Sequence, residues 1–192
     1  MTDFKIQLPS DTPDPSLVQY YKNLENRTLV INEEISEELM ETIVIPLLQM
    51  DAEDSTKPIM IYLNTLGGCI FSGFTMCDII ARLKSPVEIR VLGYAYSMGA
   101  YLLMAGANKP NIKRTAYPFS TCLIHGGSTI LSGTGSQVKD TFNFMEKYEE
   151  KIKDYALSHS NITEEEYNVM DRKEWYMSAE DMLKYNLIDE II

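Results

Sequence analysis

The sequence predicts an α/β protein in which parallel strands are covered by helices. Three observations carry this reading. Short apolar runs alternate with amphipathic stretches, the order strand–helix–strand repeats, and glycine-bearing turns follow two of the runs at Gly67-Gly68 and Ser97-Met98-Gly99. Parallel strands need long crossover connections, which the intervening helices supply. With 192 residues, 45% hydrophobic and 23% charged, the chain has the length of one domain and enough apolar residues for a core.

Residues 1–18 are polar, with Pro9, Pro13 and Pro15 among Asp and Ser, and read as an extended or mobile arm ahead of a single domain over 19–192. Thr28–Ile31 is a short strand. Glu33 to about Gln49 places Ile35, Leu39 and Ile43 at helical spacing, and Pro46 bends or interrupts that helix near its end. Pro58–Asn64 (PIMIYLN) is a buried strand, followed by the turn Thr65-Leu66-Gly67-Gly68. Phe71–Lys84 reads as a helix that stops before Ser85-Pro86. Val87–Leu92 is the next strand, and the Ala-, Leu- and Met-rich stretch up to Ala105 is a buried helix. Gly106–Arg114 is a polar loop, Thr121–Ile124 a short strand, and Gly126–Gly135 a flexible segment. The longest helix covers about 137–158, with Val138, Phe142, Met145, Ile152 and Tyr155 as its apolar stripe. Thr163 with Glu166 is a capping box that opens a short helix, and Ser178 with Asp181 is a weaker start signal.

A net charge of −11 argues against DNA or RNA as a partner, because neutralising phosphates needs a basic patch. The three cysteines, Cys69, Cys77 and Cys122, are odd in number and lack the close spacing of a zinc site. They read as small apolar residues in a reducing compartment. The N-terminus carries early acidic residues and no apolar core of a signal peptide. The most apolar segment, Ile43–Leu48, is broken by Pro46 and far too short to span a bilayer. The expectation is a cytoplasmic protein without membrane or nucleic-acid partners.

Loops at the carboxyl ends of parallel strands gather at one edge of a sheet, where ligands bind. Ser97 falls at such a strand-to-helix junction. The backbone N–H groups of a helix N-terminus, and of the Gly-Gly turn, lack intrahelical partners and are available to hold a developing oxyanion. A serine hydroxyl needs a neighbouring base before it can attack. Of the two histidines, His125 ends a predicted strand on the same edge, whereas His159 closes the long helix and reads as a solvated residue favoured by the helix dipole. His125 taken alone could equally be a satisfied core histidine. Tyr62, Tyr94 and Tyr96 are more often core or interface aromatics than substrate platforms.

Four segments in order resemble the ClpP family of serine peptidases: IYLNTLGGCIFSGF (61–74), VLGYAYSMGAYLLMAGA (91–107), TCLIHGG (121–127) and MSAEDMLKYNLIDEII (177–192). The resemblance runs from about residue 25 to 192, with a short insertion around 108–115. It implies a crotonase-like fold of stacked strand–strand–helix units with the long helix as a protruding handle. Ser97 would be the nucleophile, His125 the general base, and the backbone N–H groups of Gly68 and Met98 the oxyanion donors. The family's acidic residue stands five positions before the alanine of a Ser-Ala pair, which gives Glu174 here in place of the usual aspartate; Asp171 is the runner-up. The resemblance further implies polypeptide substrates that pair as an added strand beside the glycine turn. It implies two stacked seven-membered rings of identical chains, and a Clp-type ATPase that feeds unfolded chains. No metal or cofactor is called for.

The chain departs from the family pattern at Leu66, where proline is usual, at Gly126-Gly127, where Gln-Pro is usual, and in its N-terminal arm. The nonstandard acid and arm make a weakly active structural or regulatory ring subunit the alternative. An acyl-CoA enzyme of the crotonase type is disfavoured, since those enzymes need no serine nucleophile. A membrane-associated serine–lysine peptidase is disfavoured by a histidine standing where the base belongs.

Overall fold

The computed structural model describes residues 14–170 and 173–192. Helix α1 (Pro15–Glu25) starts inside the segment expected to be an arm. Asp14 accepts from the Ser16 backbone N–H at 2.9 Å and Pro15 occupies the first turn, where its missing N–H costs nothing. Residues 1–13 lie outside the described residues. Strand β1 (Thr28–Ile31) follows as expected.

The helix expected from residue 33 begins later. Ile35 instead forms a parallel bridge with Gly68, and a π-helical turn (Met40–Val44) leads into α2 (Ile45–Glu53). Pro46 sits in the first turn of α2, so the proline separates the two helical pieces rather than bending one. Strand β2 (Ile59–Thr65) alternates strictly, with Ile59, Ile61, Leu63 and Thr65 buried and Met60, Tyr62 and Asn64 half-buried. Helix α3 (Ile70–Ile80) packs against the wholly buried α4 (Met98–Met104). Their close approach needs Gly73, because a side chain there would collide with Met98.

Strand β3 (Val87–Tyr96) is longer than the sequence suggests, and it serves two partners. Val87–Val91 pairs with β2 on one side and with β4 (Ile112–Ala116) on the other. The pairing with β2 then shifts register between Leu63 and Thr65, and Tyr94–Tyr96 pairs with β5 (Thr121–Ile124). Strand β4 was expected to be loop up to Arg114. Its sequence, IKRTA, looks polar, yet Arg114 is only 2% exposed. The guanidinium is satisfied by Asp189 and by the Asn186 carbonyl and side chain at 2.6–3.2 Å, which allows a charge inside a strand.

The long helix α5 (Gly135–Ser158) opens on a capping box between Thr134 and Gln137. It buries only Ala156; Ile152 and Tyr155 pack partly on the core, while Phe142 is 52% exposed. Among the described residues, the first half of the expected stripe is thus largely uncovered. Helix α6 (Glu164–Met170) has its Thr163–Glu166 box and α7 (Ala179–Lys184) its Ser178–Asp181 box. Two short strands complete the sheet: β6 (Trp175–Met177), antiparallel to β5, and β7 (Glu190–Ile191), parallel to β4. Among the described residues, seven strands form one sheet in the order β1-β2-β3-β4-β7, with β5 and β6 branching from β3. Every pairing but β5–β6 is parallel, so the α/β reading stands.

Candidate active site

The carboxyl ends of β2, β3 and β5 bring together Gly67-Gly68, Ser97 and His125. Ser97 is the N-cap residue of α4 with φ +53°, ψ −119°, a conformation that non-glycine residues rarely adopt. Such strain costs about 1–3 kcal/mol and persists only where the surroundings fix it. Here they do: the Ser97 N–H donates to the Leu123 carbonyl at 2.8 Å, the Ala100 N–H donates to the Ser97 carbonyl at 3.0 Å, and α4 behind it is buried throughout. The sharp turn lifts the half-buried Ser97 side chain out of the helix ladder.

The register delivers the imidazole. Tyr96 pairs with Leu123, so Ser97 and His125 stand one and two residues past the last pairing of adjacent strands. Across the antiparallel pairing of β5 with β6, Ile124 faces Trp175, which sets Glu174 opposite His125. His125 Nδ1 lies 3.1 Å from Glu174 Oε1. A carboxylate only accepts, so this contact requires Nδ1–H and leaves Nε2 for another partner. The imidazole is 31% exposed and the carboxylate 57% exposed. Among the described residues no hydrogen bond joins Ser97 to His125. Asp171, the other carboxylate read from the sequence, lies outside the described residues. His159 is remote in role: its Nδ1 contacts Tyr155 O and Ser158 Oγ at 2.9 Å, its ring stacks on Tyr155, and it caps α5.

The glycine turn is held from behind by residues that sequence reasoning missed. The Ile35 N–H donates to Gly67 O at 2.8 Å, and the Cys69 N–H donates to Ile35 O at 2.7 Å. The buried Thr65 hydroxyl donates to Glu33 O at 2.6 Å and accepts the Gly67 N–H at 3.1 Å. These bonds turn the chain so that Gly67 (φ +102°) and Gly68 (φ +146°) occupy conformations open to glycine alone. A Cβ on Gly67 would stand 2.6 Å from Ser97 Cβ and 3.0 Å from Met98 N, so the turn leaves no room for a side chain beside Ser97. Among the described residues neither the Gly68 nor the Met98 N–H donates to a protein acceptor. A groove of about 250 Å³ runs beside this turn, lined by Asn32, Glu33, Asn64, Leu66 and Tyr94 among others. A larger hollow of about 680 Å³ lies against α6 at Glu164, Glu165, Asn168 and Val169 and shares no residue with the site.

The cysteines divide. Burial pushes the Cys77 and Cys122 thiols up to about 12, in keeping with inert core residues. Cys69, half-buried at the N-cap of α3, is held below the usual thiol range by the Ser72 backbone N–H. Among the described residues no helix is long and apolar enough to cross a membrane.

A mostly parallel α/β sheet that sets a strained serine, a histidine paired to a carboxylate and unengaged backbone donors at one edge defines a protein of the serine-hydrolase class. Residues 14–192 match the family model for Clp protease. The chain is 32% identical over 173 residues to the ATP-dependent Clp protease proteolytic subunit of Borreliella afzelii, covering 90% of this chain and 86% of that one. It is 31% identical to the proteolytic subunit 1 of Borreliella burgdorferi (90% and 88% covered) and 30% identical to the subunit of Deinococcus radiodurans (90% and 83%). The chain belongs to the Clp protease family, a family of serine peptidases, and is a ClpP-type protease.

Proposed function

We propose that the chain is a serine endopeptidase subunit in which Ser97 attacks the scissile carbonyl and His125 takes the serine proton and returns it to the leaving amine. Glu174 orients the imidazole and stabilises its cation, and the Gly68 and Met98 N–H groups hold the tetrahedral oxyanion. The observation that carries this reading is the 3.1 Å contact between His125 Nδ1 and Glu174 Oε1. It points Nε2 away from the carboxylate and makes glutamate a workable substitute for aspartate.

Extended polypeptides would pair beside the glycine turn as an added strand. The domain begins with α1 rather than at residue 19, and α5 serves as handle. Its exposed apolar stripe supports packing against further copies, in two stacked heptameric rings. A Clp-type ATPase supplies unfolded chains, and the cytoplasm suits three unpaired thiols.

Incubation with a fluorophosphonate probe tests the chemistry. Labelling lost on Ser97→Ala is the expected result, and Glu174→Ala lowers peptide turnover by roughly 10²–10⁴-fold. The lack of a direct Ser97–His125 bond favours one competing reading, a ring subunit with little activity of its own. Unlabelled serine in assembled rings would establish that reading instead.

A further inference from the structure

Ser97 and the His125–Glu174 pair reach the site on different parts of the sheet, the first on β3 and the others on the branch formed by β5 and β6. One side chain touches all three strands. Tyr96, immediately before Ser97, shares a hydrogen bond of 2.9 Å between its hydroxyl and Thr121 Oγ1 on β5. Its ring meets Tyr176 of β6 edge-on, with centroids 5.8 Å apart and planes at 80°. On its other side it lies 5.3 Å from the Tyr94 ring. Tyr176 is two residues from Glu174, and Thr121 is four from His125.

We infer that Tyr96 is a positioning residue, a clasp that fixes the β5–β6 branch, and with it the His125–Glu174 pair, relative to Ser97. The physical case is one of leverage. The last backbone bond between the two strands runs from the Ser97 N–H to the Leu123 carbonyl at 2.8 Å, two residues short of His125, so among the described residues no backbone bond to β3 holds His125 itself. β6 is three residues long and among the described residues pairs only with β5, so its contact with β3 runs through side chains. An edge-to-face aromatic pair combined with a hydroxyl–hydroxyl bond restricts both the separation and the tilt of the branch. Proton transfer is sensitive to that geometry, since a misplacement of about 1 Å can cost roughly 10²-fold in rate. The Tyr96 side chain meets Tyr94, Thr121 and Tyr176 and acts on the reacting groups through them.

The inference rests on the assignment of Ser97, His125 and Glu174 proposed above, and the experiment separates the two. Tyr96→Phe, Tyr96→Ala and Tyr176→Ala are assayed in the full chain with a short fluorogenic peptide. Tyr96→Ala and Tyr176→Ala each lower kcat about tenfold with KM within about twofold, because the clasp acts on proton transfer rather than on binding. The double variant loses no more than either alone, since each removes the same contact. Tyr96→Phe keeps the ring pair and restores kcat to within about threefold of wild type. Tyr176 is 60% exposed, so its alanine variant carries the test where Tyr96→Ala does not fold. Ser97-dependent turnover with kcat unchanged in Tyr176→Ala, or additive losses in the double variant, overturns the clasp alone. Turnover that survives Ser97→Ala overturns the assignment beneath it, and the clasp with it.

Discussion

Replacing Gly67 by alanine sets the glycine turn against Ser97, and the size of the loss follows from the geometry. At φ +102° an L side chain is strained by about 1–3 kcal/mol. The new methyl would meet Ser97 Cβ at 2.6 Å, Tyr96 O at 2.8 Å and Met98 N at 3.0 Å. All three are backbone or Cβ atoms, and none is a flexible tip that could swing aside, so overpacking adds about 1–3 kcal/mol. A combined loss near 4 kcal/mol lowers Tm by roughly 8–16 °C in a chain of this size. Relief of the overlap pushes the turn and Ser97 apart, which on the proposed roles separates the Gly68 and Met98 donors from the attacking oxygen and lowers kcat about 10²-fold. The assay pairs calorimetry with peptide hydrolysis, and Gly135→Ala is the control. A Cβ there meets nothing within 4 Å, so the control stays within about 1 kcal/mol of wild type. If Gly67→Ala matched the control in both Tm and kcat, the close approach of the turn to Ser97 would not exist in solution.

Arg114→Ala removes the buried guanidinium that joins β4 to Asn186 and Asp189, and urea unfolding should show a loss of about 3 kcal/mol; less than about 1 kcal/mol would deny the clamp any part in stability. Ellman's reagent should react quickly with one thiol in the native chain and with all three after unfolding, because Cys77 and Cys122 are raised to about 12 while Cys69 is lowered. A fast phase that persists in Cys69→Ser would contradict that division. Burial pushes the Glu88 carboxyl up, but the Arg90 and Thr115 hydrogen bonds outweigh it and hold the group below the usual range. A depressed folded value stabilises above the unfolded value near ~4.3 and fades as pH falls through the folded one. The gap in urea midpoint between wild type and Glu88→Gln should therefore be widest at neutral pH and shrink toward pH ~3, and a gap independent of pH would remove Glu88 from the acid response.

The elements legible in the sequence were those whose pattern is local. Thr28–Ile31 and Thr121–Ile124 are uninterrupted apolar runs, and the strands end where the runs do. The boxes at Thr163 and Ser178 signal helix starts within four residues. What escaped was set by partners far along the chain. IKRTA becomes a strand because Asp189, 75 residues on, neutralises Arg114. Ile35 leaves its helical period because a bridge to Gly68 satisfies its backbone. Tyr94–Tyr96 extends β3 because β5 offers a fresh edge. Ser97, His125 and the glycine turn could be placed on one edge from strand order alone. Glu174 followed only from its spacing to a familiar Ser-Ala pair. Thr65 and Tyr96 carry no sequence mark of their roles, since a threonine ending a strand and a tyrosine within one are commonplace.

The forked strand β3 has a mechanical corollary. Its first half pairs with β2 and β4, whereas its last three residues pair with β5 on one side and, through Ala95, with Thr65 of β2 on the other. His125 and Glu174 stand just past the paired ends of β5 and β6, so a shift of that branch would carry both together and change their distance to Ser97 while sparing their mutual contact. Because Cys122, Ile124, Trp175 and Met177 belong to the buried core, any such shift is coupled to core packing, and the two side chains share one firmly seated support.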